Sequence, residues 1–310
     1  MRLHDYLDYH AREHPDTEFA VLGDRTITYR EAVNEANRLA NAFASAGLQI
    51  GDRIAFLSKN SIEHALLFYA ASKAGVVPVP LNYRLASPEW AFIINDAQAK
   101  MLIASAAYVS IADGFRGELK TVERFIAIGA DGADGWEDYH RWVAEQPDTA
   151  PNRIITDEHD VYQLYTSGTT GHPKGAVITH GAVSSQIAQI SLVYPGTLGE
   201  RNLVVAPLYH AAAAITAFVT VSLGGSMYIQ EDFNPLEVVQ ALSEKRIVRA
   251  TLVPAMIQAC LVFVPDIAER NFDSLRHITY GASPIAEETL RRAVEVFKCD
   301  FAQAYGMTET

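Results

Sequence analysis

The sequence predicts an α/β fold of two alternating blocks with mostly parallel sheets covered on both faces. Three observations carry this reading. Short β-rich runs alternate with helical runs over most of the chain, the pattern of parallel strands covered on both faces. The alternation falls into two blocks, with loop-rich stretches of little apolar periodicity at 129–135 and 145–152 between them. And 310 residues, 49% apolar and 20% charged, can bury a large core without staples, which excludes wholesale disorder.

In the first block, Thr28-Tyr29-Arg30-Glu31 is a capping box. Val33, Ala36, Ala40 and Phe43 follow at helical spacing, and Gly47 supplies a stop. Arg53 to Leu57 reads as a strand, and Asn60 and Glu63 open a helix that Gly75 closes. Val76 to Val79 is a short strand whose prolines place it at an edge or turn. Ser87-Pro88 reads as an N-cap followed by proline at the first helical position. Met101–Ala104 and Phe125–Ile128 continue as strands. In the second block, strands are expected near Val161–Tyr165, Ala176–Thr179, Leu203–Ala206, Met227–Gln230, Ala250–Val253, His277–Tyr280 and Phe301–Ala304, with helices at Pro235–Lys245 and Pro284–Phe297.

Several classes fall away. The 25 basic against 37 acidic residues leave a net charge of −12, which argues against a nucleic-acid binder held by phosphate contacts. Asp5 and Asp8 interrupt any apolar run near the N-terminus, so no signal peptide is expected. No charged residue lies between Arg201 and Glu231, but Pro207, Gly224 and Gly225 break that stretch, which reads as a buried helix and a strand, not an integral membrane segment. Cys260 and Cys299 match no metal spacing and read as buried thiols of a cytoplasmic protein.

The strongest local signal is the run Tyr165-Thr166-Ser167-Gly168-Thr169-Thr170-Gly171-His172-Pro173-Lys174-Gly175 between two strands. Glycines let backbone approach a ligand, consecutive N–H groups form an anion-binding concavity, hydroxyls add donors and Lys174 adds a charge. A polyphosphate needs this combination, although the same composition also suits a plain turn between strands. It is not a Walker A loop, since Pro173 precedes Lys174 and Gly175 follows it, and GxGxxG, GxSxG and HExxH are absent.

The run from Tyr165 to Gly175 resembles the signature phosphate loop of the adenylate-forming (AMP-binding) superfamily. Pro207-Leu208-Tyr209-His210, Gly281-Ala282-Ser283-Pro284 and Tyr305-Gly306-Met307-Thr308-Glu309-Thr310 resemble further motifs of that superfamily, in its order, and Thr28-Tyr29-Arg30-Glu31 resembles its T-Y-x-E helix start. The likeness covers nearly the whole chain and is greatest to acyl- and aryl-CoA synthetases. It implies that residues 1–310 are part of an N-terminal adenylation domain, two stacked and intertwined, mostly parallel α/β units with a cleft between them and a switch near residues 180–200.

The resemblance implies ATP-dependent activation of a carboxylic acid to an acyl-adenylate, then transfer to coenzyme A. Thr166, Ser167, Gly168, Thr169, Thr170, Gly171 and Lys174 would cradle the β- and γ-phosphates. Thr308 would donate to the α-phosphate, and Glu309 would hold Mg²⁺, a hard cation suited to carboxylate and phosphate oxygens. Gly281, Ala282, Ser283, Pro284 and Tyr305 would enclose the adenine. Tyr209, His210, Val253, Pro254 and Gly281 would border the substrate carboxylate and acyl group. His210 and Tyr305 also suit plain core packing, and Glu309 a solvated carboxylate. Small and apolar residues from Val204 to Thr220 suit a fatty or aromatic acid, although Glu231 and Asp232 leave an amino-acid substrate open. Loading of a carrier protein, or non-catalytic binding of nucleotide or acyl groups, are the alternatives. The family's small β-barrel, its ribose-binding aspartate motif and its C-terminal domain with an adenylation lysine are absent here. The chain therefore reads as a fragment, expected to fold and to be nearly inactive alone.

Overall fold

The computed structural model describes residues 1–166, 173–194 and 196–309. Its first sheet has five parallel strands in the order β4-β3-β5-β6-β7: β3 (Arg53–Leu57), β4 (Val77–Pro80), β5 (Met101–Ser105), β6 (Arg124–Ile128) and β7 (Glu137–Asp138). Successive side chains of a strand point to opposite faces, and the split is clean here. Ile54, Phe56, Met101, Ile103 and Ile126 enter a core with α2 (Tyr29–Ser45), α3 (Ile62–Ala74) and α6 (Tyr139–Ala144). Ala55, Leu57, Leu102, Ala104 and Phe125 enter another with α4 (Ser87–Asp96) and α5 (Ala106–Asp113).

The second sheet has the order β14-β13-β12-β10-β11-β1-β2. Its strands β10 (Arg201–Val204), β11 (Ser226–Ile229), β12 (Ile247–Leu252), β13 (His277–Gly281) and β14 (Asp300–Ala304) run parallel. The hairpin β1 (Glu18–Leu22) and β2 (Arg25–Thr28), from the start of the chain, completes the far edge, with Ala20 opposite Met227. Helices α9 (Pro235–Glu244), α10 (Pro254–Phe263) and α11 (Glu287–Phe297) cover one face. Helices α1 (Leu3–Glu13), α7 (His180–Val193) and α8 (Ala211–Ser222) pack together on the other, with α1 against α2 and α3. The rings of Phe68 on α3 and Phe218 on α8 meet edge to face at 5.1 Å, so one core serves both sheets. Every residue of α3 is buried as a result.

Local signals act as expected at several ends. The Thr28 side chain accepts from Glu31 N–H (3.3 Å) while the Glu31 carboxylate accepts from Thr28 N–H (2.7 Å). Gly75 ends α3 at φ 73°, where an L side chain is disfavoured. Ser61, one residue after Asn60, caps α3, and Ala86 sits at the N-cap of α4, so Ser87 is already helical. Helix α11 begins at Glu287, three residues later than expected, because Ser283 and Pro284 form the turn after β13.

Strands β8 (Asp160–Thr166) and β9 (Lys174–Thr179) form an antiparallel hairpin, outside both parallel sheets. Seven residues join them, too few for the crossover a parallel pair requires. The hairpin packs on β4 and α3. No helix among the described residues is long and apolar enough to cross a membrane; α8 has 12 residues. Burial pushes the thiols of Cys260, buried, and Cys299, half-buried, up to about 12.

Three of the four buried histidines among the described residues contribute strongly to the acid response. His64 lies between Phe56 (4.7 Å) and Phe68 (5.5 Å), and burial holds it down to about 3. His4, bonded through Nδ1 to Ser72 Oγ (2.7 Å), is held to about 3 by burial and then by Lys73 and Arg2. Burial, followed by His159, holds His180 to about 4, and its Nδ1 accepts from Leu3 N–H. All three are neutral when folded, whereas the unfolded chain takes up their protons below about pH 6.5. Stability should therefore fall as pH drops through about 6.5 and keep falling toward 3 to 4. In chemical denaturation, His64→Phe should flatten that decline and leave stability at pH 7 unchanged or raised. An identical acid profile for both proteins would refute this account.

Candidate functional site

Four adjacent parallel strands, β10, β12, β13 and β14, end at the same edge of the second sheet, where ligands of α/β folds bind. Pro207–His210 follows β10, Val253 and Pro254 follow β12, Gly281–Pro284 ends β13, and Tyr305–Glu309 follows β14. Gly281 stands opposite Ala304 in register. A Cβ on Gly281 would overlap the Ala304 carbonyl oxygen, so glycine lets the two strand ends meet. Ala282 then adopts φ 65°, a left-handed conformation that costs about 1–2 kcal/mol. Ser283 and Pro284 are exposed, and Tyr305 is 95% exposed, a ring face free to stack on a planar group.

The turn after β10 is held from the other sheet. Asn60, 2% exposed, follows β3, and its Nδ2 donates to the carbonyls of Ala206 and Gln230, each at 3.1 Å. Its Oδ1 accepts from Leu208 N–H at 2.9 Å. This amide fixes the segment carrying Tyr209 and His210. Tyr209 is buried edge-on against Tyr83 (5.5 Å), and its ring centre lies 4.4 Å from that of His210. His210 occupies the N-cap of α8 with its side chain exposed. The surrounding protein, and then Arg84, hold its imidazole below its ordinary value, which keeps it neutral near pH 7. It can hydrogen-bond a carboxylate or a polar substrate group without placing a fixed charge there.

Arg84, Tyr83 and Lys59 converge on Asp232, at 2.8, 2.8 and 3.3 Å. Burial pushes that carboxyl up, but the bonds from Tyr83, Phe233 N–H, Lys59 and Arg84 outweigh it and hold Asp232 below the usual range. The Asp232 charge is thus already neutralised within the protein and is no ready partner for a substrate ammonium.

Thr166 and Lys174 face each other at the open end of the β8–β9 hairpin, so the two ends of the glycine-rich run are brought together. Gly175 there leaves no room for a Cβ beside Gln163 and the ring of Tyr165. Ser167, Gly168, Thr169, Thr170 and Gly171 lie outside the described residues, as does Thr310. Thr308 is half-buried and Glu309 exposed in the turn after β14. Among the described residues no three metal-binding side chains cluster. A lone carboxylate such as Glu309 suits Mg²⁺, which is held by one or two carboxylates together with phosphates and water. Val253 packs against the core beneath α9–α11, and Pro254 is buried at the start of α10.

A cavity of about 170 Å³ runs from Ala304 and Thr279 between α8 and the sheet. Ala212, Ile215, Val219 and Leu223 line its helix wall; Thr251, Thr279, Asn202 and His277 are on its sheet wall. The small and apolar run in α8 signalled the first wall. Sequence reasoning missed the second, whose residues come from three strands and become neighbours only through sheet order.

Residues 7–310 match the AMP-binding enzyme family. The chain is 33% identical over 307 residues to a fatty acid–[acyl-carrier-protein] ligase of Streptomyces coeruleorubidus, covering 97% of this chain and 57% of that protein. It is 32% identical over 290 residues to the long-chain-fatty-acid–CoA ligase FadD13 of Mycobacterium tuberculosis, covering 93% and 56%. The N-terminal domain of FACL13 from Mycobacterium tuberculosis, solved with an inhibitor, superposes with a TM-score of 0.92 at 29% identity, covering 99% of this chain and 76% of that one. The chain thus spans somewhat more than half the length of the curated relatives it matches.

Asn60→Ala should strand two carbonyls and one N–H, each costing about 1–3 kcal/mol if left unpaired. A loss of about 2–4 kcal/mol in denaturant unfolding is expected, and Asn60→Asp should be no better, because it sets a carboxylate against two carbonyls. A change within about 0.5 kcal/mol, typical of a surface site, would contradict this role.

Proposed function

We propose the following function for this chain, which belongs to the AMP-binding enzyme family: it binds ATP and a fatty or aromatic carboxylic acid and forms an acyl-adenylate, which the whole protein passes to coenzyme A. The observation that carries the reading is the gathering of the His210 turn, the Gly281–Pro284 turn and the Tyr305–Glu309 segment at the ends of neighbouring parallel strands. The apolar helix wall of the adjoining cavity supports an acyl or aryl group, since an apolar cavity of about 150 Å³ holds a benzene ring. The engagement of Asp232 by Arg84, Tyr83 and Lys59 favours such an acid over an amino acid.

In this reading the carboxylate oxygen attacks the α-phosphorus, a new O–P bond forms, and pyrophosphate leaves. The protein's task is placement and charge stabilisation. Thr166 and Lys174, with the glycine-rich run between them, hold the β- and γ-phosphates. The Thr308 hydroxyl donates to the α-phosphate. Tyr305 and the Gly281–Pro284 turn enclose the adenine, and neutral His210 borders the acid's carboxylate. Glu309 would hold Mg²⁺, whose charge would offset that of the phosphates. The relative that loads an acyl-carrier protein supports a second reading, in which a carrier's thiol takes the acyl group.

Calorimetry on the 310-residue chain tests the reading. A non-hydrolysable acyl-adenylate mimic should bind at least 100-fold tighter than AMP or the free acid, because it spans both halves of the site. Glu309→Gln should lower affinity for ATP at least tenfold in Mg²⁺, much less in EDTA, and leave acid binding unchanged. Failure of both ATP and the mimic to bind would sink the proposal.

A further inference from the structure

The cavity beside α8 is apolar on its helix wall but not on its sheet wall. Parallel register sets Asn202, Arg249 and His277 abreast on β10, β12 and β13, with Thr251 and Thr279 abreast one step nearer the strand ends. On this wall two buried polar atoms, Oδ1 of Asn202 and Nε2 of His277, have no hydrogen-bond partner. Asn202 is 5% exposed, and its orientation is set: Nδ2 donates to Thr220 Oγ1 (2.7 Å), and that hydroxyl donates to the Thr216 carbonyl (2.8 Å). Oδ1 is left as a buried acceptor without a partner, on a residue that lines the cavity. The His277 ring rests on Tyr194 at 4.5 Å. Buried groups of this kind are costly unless something meets them.

The surrounding charges are spent on one another. Arg249 bonds the Tyr194 carbonyl (3.1 Å) and pairs with Glu200 (3.6 Å), and Arg201 pairs with Glu18 (2.7 Å). A charged group arriving here has no counter-charge ready, whereas a neutral donor finds an acceptor. From the Gly281 turn to the His277 row is four residues of strand, about 13 Å.

Resting on the acyl-activating reading of the site, we propose that Asn202 is a specificity residue that binds a hydroxyl, or another neutral donor, at the end of the acid opposite its carboxylate. His277 is its second, on the same row. The substrate class is then a hydroxylated acid of roughly the length of a phenylpropenoic acid or an eight-carbon chain. An unsubstituted acid would leave the buried acceptor unpaired, the situation in which sites built for a hydroxyl discriminate most strongly.

Matched acids test this: 4-hydroxycinnamic against cinnamic acid, and 8-hydroxyoctanoic against octanoic acid. Their binding to the 310-residue chain is measured with ATP present, by calorimetry or ligand-observed NMR. The hydroxylated member of at least one pair should bind at least tenfold tighter. Asn202→Leu should bring that ratio to one or below, and His277→Phe should reduce it, with thermal melts confirming that both variants fold. Equal or weaker binding of both hydroxylated acids, or a preference that survives Asn202→Leu, overturns the proposal. Binding of the plain acyl-adenylate mimic separates the two readings: if it binds and no preference exists, only the substrate class falls, and if neither mimic nor acids bind, both fall.

Discussion

One side-chain amide ties the two halves together at the place where the site forms. Asn60 belongs by sequence to the turn after β3 of the five-stranded sheet, yet its hydrogen bonds go to the ends of β10 and β11 in the other. Its own N–H goes to the Glu231 carbonyl. The Asn60 side chain meets three backbone groups at the ends of these strands. A single planar group with two donors and an acceptor does this and fixes the distance between sheets. The position of His210 follows from it, and the start of α8 follows from His210.

The shared core makes that position rigid. Helices α3 and α8 serve different sheets but bury the same aromatic rings, Phe68, Tyr69 and Phe218. A shift of one sheet against the other would have to break this packing. Freedom remains in the turns beyond the strand ends, where Ser283, Tyr305 and Glu309 are exposed. Rigid strands thus present adaptable loops, and the chemistry sits at the boundary.

Much of this was legible beforehand. Most of the parallel strands were read within a few residues because apolar runs bounded by glycine and proline are clear signals, and the capping box at Thr28 marked its helix, whereas the two-residue β7 and the β1–β2 hairpin were not read as strands. The motifs after β10, β13 and β14 could be read as site segments because each combines a strand end with small or polar residues. What stayed hidden depends on long-range pairing. Asn60 looks like a helix opener, since nothing local shows that its partners are Ala206, Leu208 and Gln230. The β8–β9 pairing is the exception: its strands stand in the second alternating block, although the seven residues between them already forbid a parallel crossover. Asn202, Arg249 and His277 form a row only through the order of three strands. Helix α1 escaped because Asp5 and Asp8 drew attention from the stripe of Leu3, His4, Leu7 and His10 that it buries.

The pairing of Ala20 with Met227 has a kinetic consequence. The β1–β2 hairpin is made early, but the strand it joins is far along the chain. Until β11 exists, one edge of the hairpin has no neighbour, and the Phe19 side chain has only part of the core that finally buries it. Closing so large a loop costs entropy before it returns any contact, which places this step late in assembly. During synthesis the waiting hairpin is a sticky edge, and it becomes safe only when the second sheet arrives.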